Sequence, residues 1–270
     1  MSAYDIKGTL VPLDLTDFSQ VKQLFAEVQP SIVFNLAGYG VDPQERDGGL
    51  MDQINAGLPR AICDALQSHH DSSWNGQQLI HGGSALEYGT ARGILSEDLP
   101  PEPTTQYGIS KLAGTTAVLE SSLRTVVARL FNVYGPGEHA GRLFPSLIET
   151  AKTGKDLALT PGTQKRDFTY IEDVAQGFLK LGLITGKSEL PVNLATGRLQ
   201  SVRQFAEIAA RILKIPTARL HFGKLPFREQ EMDHEGVNTE RLNTLLKWTP
   251  STRVDAGVQK TISFLESLSE

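Results

Sequence analysis

The chain has 270 residues, of which 40% are hydrophobic and 21% charged, a composition that fits one large globular domain or two joined ones. The net charge of −5 and the scattered lysines and arginines argue against nucleic-acid binding, and no apolar run approaches the roughly 20 residues that span a bilayer. Its start shows no signal-peptide pattern, and the single cysteine, Cys63, excludes an internal disulfide framework, so we expect a cytoplasmic location. The histidines show no metal-ligand spacing, so we expect no metal.

Short apolar runs alternate with amphipathic helical periods along the first half of the chain. The predicted strands cover residues 9–13, 31–36, 79–81 and 125–130. Several of them are continuously apolar, which is typical of strands that are covered on both faces in a parallel sheet. Between them, Val21, Leu24, Phe25 and Val28 share one helical face, and Thr16 or Asp17 can cap that helix. This alternation predicts a doubly wound, Rossmann-like α/β fold.

After residue 133 the pattern changes to recurrent helices with short strands. Helices are predicted around residues 143–150, 174–183 and 201–213, with a strand at 157–159. Ser201 and Gln204 have the spacing of a capping box at the start of the last of these helices. We interpret this region as a smaller, irregular part that is interleaved with the end of the sheet.

The segment Tyr-Gly-Ile-Ser-Lys places Tyr107 and Lys111 four residues apart, on one face of a helix. A free phenol has a pKa of about 10, and a neighbouring cation would lower that pKa and make Tyr107 a general acid or base. Alone, this spacing also fits an ordinary pair of surface side chains. Two further segments favour the catalytic interpretation over the surface pair. They are the strand end Gly-Gly-Ser at residues 82–84, and Arg-Leu-Phe-Asn-Val-Tyr-Gly-Pro-Gly at residues 129–137.

In this order and spacing, the three segments resemble the extended short-chain dehydrogenase/reductases, the NAD-dependent epimerase/dehydratase family. The resemblance runs from about Leu10 to Phe264 and includes residues 14–17, 35–38, 54–57, 166–173, 192–197 and 248–250. It implies a dinucleotide-binding domain over residues 1–135, with later strands interleaved around 165–200. Residues 136–270 would form most of a substrate-binding part.

The resemblance also implies roles for single residues. Ser84, Tyr107 and Lys111 would be catalytic. Lys111 and Tyr107 would also contact the cofactor, NAD or NADP, together with Asp14, Leu15, Leu36, Ala37, Gly38 and Asn55. Asn132, Leu143, Arg166 and Arg228 would join Ser84 in binding a nucleoside diphosphate sugar, and guanidinium groups suit a diphosphate because they form bidentate, charge-assisted hydrogen bonds. Taken singly, Asp14 could instead cap a helix, and Arg166 could pair with a surface carboxylate.

The family's glycine-rich turn, which binds the cofactor pyrophosphate at a helix N-terminus, has no counterpart near the start of the sequence. We therefore expect the first strand–helix–strand unit to be missing. The strand at residues 9–13 must then pair in a new place, pair with another chain or remain loosely held, and exposed strand edges would favour association.

The resemblance implies a C4 epimerase of nucleotide sugars. The alternatives are an NADPH-dependent 4-keto-6-deoxysugar reductase and an inactive homologue with impaired cofactor binding. A dehydratase is disfavoured because Ala85 and Leu86 occupy the positions where that activity requires an acidic pair. Family members usually dimerise through the helix of the Tyr-Lys pair, so we expect a homodimer with Leu112, Ala113, Thr116 and Leu119 at its interface.

Overall fold

The computed structural model describes residues 7–42, 44–186, 190–227 and 232–268. Its helices are α1 Phe18–Val28, α2 Gly48–Asp52, α3 Leu58–Ser68, α4 Gln106–Leu119, α5 Leu143–Thr153, α6 Ile171–Gly182, α7 Val202–Ile212, α8 Glu240–Leu246 and α9 Val254–Ser267. Its strands are β1 Val33–Asn35, β2 Leu79–Ser84, β3 Ile94–Leu95, β4 Thr125–Leu130, β5 Asn132–Tyr134, β6 Leu157–Leu159, β7 Lys165–Tyr170, β8 Val192–Leu194, β9 Leu199–Ser201, β10 Leu220–Phe222 and β11 Gly236–Val237.

The main sheet has the strand order β1-β2-β4-β8, and all three strand pairs are parallel. Neighbouring residues of β2 face opposite sides: Leu79 packs in the cluster with α1 and α3, whereas Ile80 packs in the cluster with α6 and α8. Helices thus cover both faces of the sheet, which confirms the predicted doubly wound α/β fold and explains why β2 and β4 are almost continuously apolar.

The predicted strand at residues 9–13 is wrong. This segment has no regular secondary structure, and the side chains of Leu10 and Val11 are 60% and 51% exposed. Within the described residues, β1 is the edge of the main sheet and pairs only with β2. A strand needs a hydrogen-bonding neighbour, and the apolar pattern of residues 9–13 carries no information about whether that neighbour exists.

A second hydrophobic core lies between α5, α7, α9 and the strands β5, β7 and β9. Its centre is aromatic: Phe205 stacks on Phe168 and meets Tyr134 and Phe144 edge to face. The predicted capping box at Ser201 and Gln204 begins α7 and is confirmed. The chain returns from this core to the main sheet through α6 and β8, so the two cores are interleaved in sequence.

Across the described ranges, every helix is too short or too polar to cross a membrane.

Candidate active site

Ser84 lies at the carboxyl end of β2. In this fold class, ligands bind just beyond the carboxyl ends of the parallel strands. The Ser84 hydroxyl accepts a hydrogen bond from the backbone N–H of Leu86 at 3.2 Å, and so begins a tight 3-10 turn. Helix α4 begins after Thr105, whose hydroxyl accepts the backbone N–H of Gly108 at 2.9 Å. This cap places Tyr107 in the first turn, where its phenol interacts with the Ser84 side chain.

Lys111 lies one turn beyond Tyr107 and is only 3% exposed. Its Nζ donates a hydrogen bond of 2.5 Å to the carbonyl oxygen of Gly82 on β2. Burial lowers the pKa of Lys111 to about 8, although the charge of Glu87 opposes this shift. Tyr107 and Lys111 therefore lie on the same side of α4, facing the end of β2, as their spacing predicted.

The prediction that Lys111 lowers the pKa of Tyr107 is wrong for the chain without a ligand. Burial of the phenol raises the pKa of Tyr107 to about 12, and the interaction with the Ser84 side chain opposes that shift without cancelling it. The physical reason is desolvation, which disfavours the charged form of both groups: it lowers the pKa of a lysine and raises that of a tyrosine. Tyr107 is consequently protonated at neutral pH.

A buried ion pair between Glu87 and Arg129 lies beneath these residues. Glu87 Oε1 accepts the backbone N–H of Ser84 at 2.7 Å and the hydroxyl of Thr115 at 3.0 Å, while Oε2 accepts Arg129 Nε at 2.9 Å. The Arg129 guanidinium lies over the ring of Tyr88, 4.4 Å from its centre. The sequence reasoning missed this pair, although the spacing Ser84-x-x-Glu87 is that of a capping box.

The predicted cofactor residues at the end of β1 form an open loop. Leu36 is 66% exposed, Gly38 is exposed and Ala37 is partly buried. The Ala37 N–H donates to the Asn35 side chain at 3.2 Å. Leu36 thus exposes an apolar side chain at the carboxyl end of β1, close to the end of β2.

Asn55 supports this loop from below. It is fully buried in a π-helical turn, Gln53–Gly57. Its side chain exchanges two hydrogen bonds with the backbone of Tyr39, at 3.0 and 2.7 Å, and donates to Ser110 on α4 at 2.9 Å. These three hydrogen bonds fix the loop to the helix of Tyr107.

Asp14 and Leu15, predicted to face the adenine, lie on an exposed turn. Asp14 Oδ1 accepts the backbone N–H of Thr16 at 2.9 Å and its hydroxyl at 2.7 Å, and these bonds lower the pKa of Asp14. The cap of α1 is Asp17, which accepts the backbone N–H of Ser19 at 3.0 Å. Asp14 therefore stabilises a turn and caps no helix.

Three of the four predicted diphosphate-binding residues lie on three separate elements. Asn132 begins β5, and Leu143 begins α5. Arg166 lies on β7, where its Nη1 donates to the carbonyl oxygens of Lys165 at 2.5 Å and Met232 at 2.9 Å. Arg228 lies outside the described residues.

Two charged residues beside Tyr107 were missed by the sequence reasoning. Arg142, at the N-terminus of α5, lowers the pKa of Tyr107, and Glu45 raises it, both more weakly than burial. Glu45 Oε2 accepts the backbone N–H of Gly40 at 2.7 Å, and Arg142 Nε forms a 2.9 Å ion pair with Glu138. No sequence motif marks these positions, because only the fold brings them to the phenol.

The family model described as "NAD dependent epimerase/dehydratase family" matches residues 2–188. Among curated relatives, a CDP-abequose synthase from Salmonella muenchen is 31% identical over 141 residues, covering 51% of this chain and 47% of the relative. A probable dTDP-4,6-dihydroxy-2-methyloxan-3-one 4-ketoreductase from Streptomyces antibioticus is 31% identical over 173 residues, covering 63% of this chain and 56% of the relative. A UDP-glucose 4-epimerase from Mycolicibacterium smegmatis is 25% identical over 284 residues, covering 98% of this chain and 83% of the relative.

The chain thus spans about half the length of two of these relatives and most of the third. Among solved structures, MoeE5 in complex with UDP-glucuronic acid and NAD superposes with a TM-score of 0.77 at 24% identity, covering 97% of this chain and 85% of that one. At this identity the superposition shows a shared fold.

Proposed function

Because the chain belongs to the NAD-dependent epimerase/dehydratase family, we propose that it is a nicotinamide-dependent enzyme that inverts C4 of a nucleoside diphosphate sugar. The observation that carries this proposal is the arrangement of three side chains: Ser84 ends β2, Tyr107 interacts with it from the first turn of α4, and Lys111 on the next turn donates to the Gly82 carbonyl oxygen of β2 at 2.5 Å. A hydroxyl, a phenol and an ammonium group at the carboxyl end of a parallel sheet suit proton transfer at a sugar oxygen.

The residues near β1 fit NAD(P). Leu36 offers exposed apolar surface for a planar ring, and Lys111 has further N–H donors besides the one that Gly82 accepts, which suit ribose hydroxyls. We assign Leu36, Ala37, Gly38, Lys111 and Tyr107 to the nicotinamide side of this site. Asp14 and Leu15 would be on its adenine side. When bound, the cofactor supplies the hydride chemistry.

The chain's own residues handle the proton. In the epimerase, Ser84 hydrogen-bonds the C4 oxygen of the sugar and holds it against the phenol of Tyr107. Tyr107 accepts the proton of that oxygen as the ketone forms and returns it when the alcohol is restored. Lys111 stays charged below its pKa of about 8 and stabilises negative charge on the phenol oxygen during transfer.

A second candidate, a 4-ketosugar reductase, is favoured by the pKa of Tyr107. A phenol with a pKa of about 12 is almost wholly protonated at neutral pH, so it already carries the proton that reduction of a ketone requires, whereas the phenolate that would accept a proton from an alcohol is scarce. The similarity to a 4-ketoreductase supports the same activity. Epimerisation needs both proton transfers, whereas reduction needs only the donation that this pKa favours.

The third possibility is a homologue that binds the sugar nucleotide without turnover. We assign the nucleotide diphosphate to Asn132, Leu143, Arg166 and Arg228 in all three cases, because the diphosphate site does not depend on the cofactor. Each hydrogen bond to a charged phosphate contributes about 1.5–3 kcal/mol, so the loss of even one such bond would weaken the binding of a cofactor about tenfold or more.

We also propose that the protein forms a homodimer through α4. Ala113 and Thr116 are exposed on this helix and Leu112 and Leu119 are partly buried, which leaves a face of apolar and small residues. Replacing Thr116 by arginine should convert a dimer into a monomer in light scattering, and an unchanged mass would rule this interface out. A cytoplasmic location stays a prediction from the sequence and is tested by cell fractionation.

One set of assays separates the three functions. Purified protein is given UDP-glucose with NAD, or a dTDP-4-keto-6-deoxy sugar with NADPH, while calorimetry measures the binding of each cofactor and sugar. An epimerase forms UDP-galactose, seen by NMR, without net change in NAD. A reductase consumes NADPH in proportion to its product. If the sugar nucleotide binds but neither cofactor binds nor product forms, both enzyme proposals are refuted.

A further inference from the structure

Glu87 is a fully buried carboxylate that the proton chemistry described above leaves without a role. It makes contact with three different elements: the backbone of Ser84 at the end of β2, Thr115 on α4 and Arg129 on β4. Burying a carboxylate costs several kcal/mol unless it is paired and hydrogen-bonded, and Glu87 is both. Its position at the meeting point of these elements therefore needs an explanation.

The contacts of Glu87 connect all three residues of the proposed active site. The backbone N–H of Ser84 donates a hydrogen bond of 2.7 Å to Glu87 Oε1. The same oxygen accepts the Thr115 hydroxyl at 3.0 Å, and Thr115 lies one turn beyond Lys111 on the buried face of α4. A single carboxylate oxygen thus links the serine strand to the helix that carries Tyr107 and Lys111.

The surrounding chain leaves space for this carboxylate. A Cβ at Gly83 would lie 2.9 Å from Glu87 Oε1 and 2.9 Å from Val127. Any side chain at residue 83 would therefore displace Glu87. Gly83 does not have a positive φ, so glycine is required there because Glu87 and Val127 lie too close for a Cβ.

We propose that Glu87 is a positioning residue of this site: its carboxylate fixes Ser84 and α4 relative to each other and places a negative charge against the buried face of α4 that carries Lys111. This inference rests on the function proposed above for Tyr107 and Lys111. Its test, however, measures the ionisation of Lys111 and needs no turnover.

Among the described residues, the titratable groups found to interact with Lys111 are Glu87 and His81. Burial lowers the pKa of Lys111, and Glu87 is the charge that raises it. The other titratable group that interacts with Lys111 is His81 on β2, which burial and Lys111 itself keep neutral. Around Glu87, the facing groups are Arg129, which pairs with it, and Tyr107, whose pKa Glu87 raises in addition to burial.

The negative charge of Glu87 therefore raises the pKa of both Lys111 and Tyr107. It favours the charged form of Lys111 and the protonated form of Tyr107. A hydrogen bond alone would fix the geometry without this effect, so the charge and the hydrogen bonds can be separated by mutation.

The experiment is a pH titration of Lys111 by NMR on protein that carries 13C at the lysine ε carbon, with Lys111→Met used to assign the signal. Glu87→Gln removes the charge and retains an oxygen acceptor. The matched control is Thr115→Val, which removes a neutral hydrogen bond to the same oxygen and keeps the charge. We expect the Lys111 midpoint to fall by at least about one pH unit in Glu87→Gln, a tenfold change in the dissociation constant, and to stay near the wild-type value in Thr115→Val.

A second variant protects the test against misfolding, because Glu87→Gln leaves Arg129 buried without its partner. Glu87→Gln combined with Arg129→Met removes both charges, a change that buried ion pairs often tolerate. The Lys111 midpoint should fall in this variant as well. An unchanged midpoint in either folded variant overturns the proposal, and so does failure of both variants to fold, which would make Glu87 purely structural. Absence of turnover in the wild-type protein would refute the proposed function but not this inference.

Discussion

Gly108 lies between Tyr107 and Lys111 in the first turns of α4 and allows that helix to touch the turn that begins at Ser84. A Cβ at residue 108 would lie 2.5 Å from the backbone oxygen of Leu86 and 3.1 Å from Pro103. Real Cβ contacts are essentially never closer than 3.0 Å, so Gly108→Ala must move α4 away from this turn by about half an ångström. Backbone forms one side of this contact, and a rotamer change cannot relieve it.

We expect Gly108→Ala to lower the free energy of unfolding by about 1–2 kcal/mol. Overpacking costs about 1–3 kcal/mol, and the higher helix propensity of alanine returns up to about 1 kcal/mol of that. The displacement also separates Tyr107 from Ser84. Since active sites tolerate only about 0.5 Å of misplacement, we expect turnover to fall roughly tenfold or more.

The assay is urea denaturation followed by far-ultraviolet circular dichroism, with initial rates measured on the same preparations. The matched control is Gly48→Ala, at the start of α2, where a Cβ would meet only the Gln106 side chain at 3.5 Å. This control should be as stable as the wild type or slightly more stable. If Gly108→Ala is also as stable and as active as the wild type, the reasoning from the contact with Leu86 is refuted.

Three further predictions follow from single side chains. Tyr107→Phe should lower kcat by orders of magnitude at nearly unchanged KM in steady-state kinetics; an unchanged kcat removes the phenol from the mechanism. Arg129→Met leaves Glu87 buried and unpaired and should cost about 3–5 kcal/mol in denaturation, whereas Lys260→Met, in an exposed pair, should cost less than about 1 kcal/mol; equal losses would contradict the importance of burial. His234 has a folded-state pKa of about 4, below its ordinary 6.5, because burial disfavours its charge. It therefore contributes stability that is present above pH 6.5 and lost towards pH 4, by up to about 1.4 kcal/mol per pH unit, and His234→Gln should flatten that part of the stability curve.

The sequence predicted the parallel sheet because β2 and β4 carry their own evidence. Each is an almost continuously apolar run, and that pattern requires cover on both faces, which α1, α3, α6 and α8 provide. The run at residues 9–13 has similar composition and forms no strand. The difference is the presence of a neighbour, which is a property of the whole fold and cannot be read from the run itself.

The candidate site was predicted in part for the same reason. Helical spacing fixed Tyr107 and Lys111 on one face of α4, and the end of β2 supplied Ser84. The direction of the Tyr107 pKa shift depends on desolvation, and residues distant in sequence add to it through their charges: Glu45 raises the pKa and Arg142 lowers it. Sequence spacing reports which groups can meet, but it does not report how much water remains around them.

Burial and charge together determine which proton Tyr107 can give or take. Desolvation alone would favour the neutral forms of both Tyr107 and Lys111. Glu87 opposes that effect at Lys111 and reinforces it at Tyr107, so the ligand-free site at neutral pH holds a charged ammonium beside a protonated phenol. In the function proposed above, this is the state that would donate a proton to a developing sugar alkoxide. The reductive half of the chemistry, which epimerases and ketoreductases share, therefore needs no prior change of protonation, whereas the oxidative half must first overcome the high pKa of the phenol.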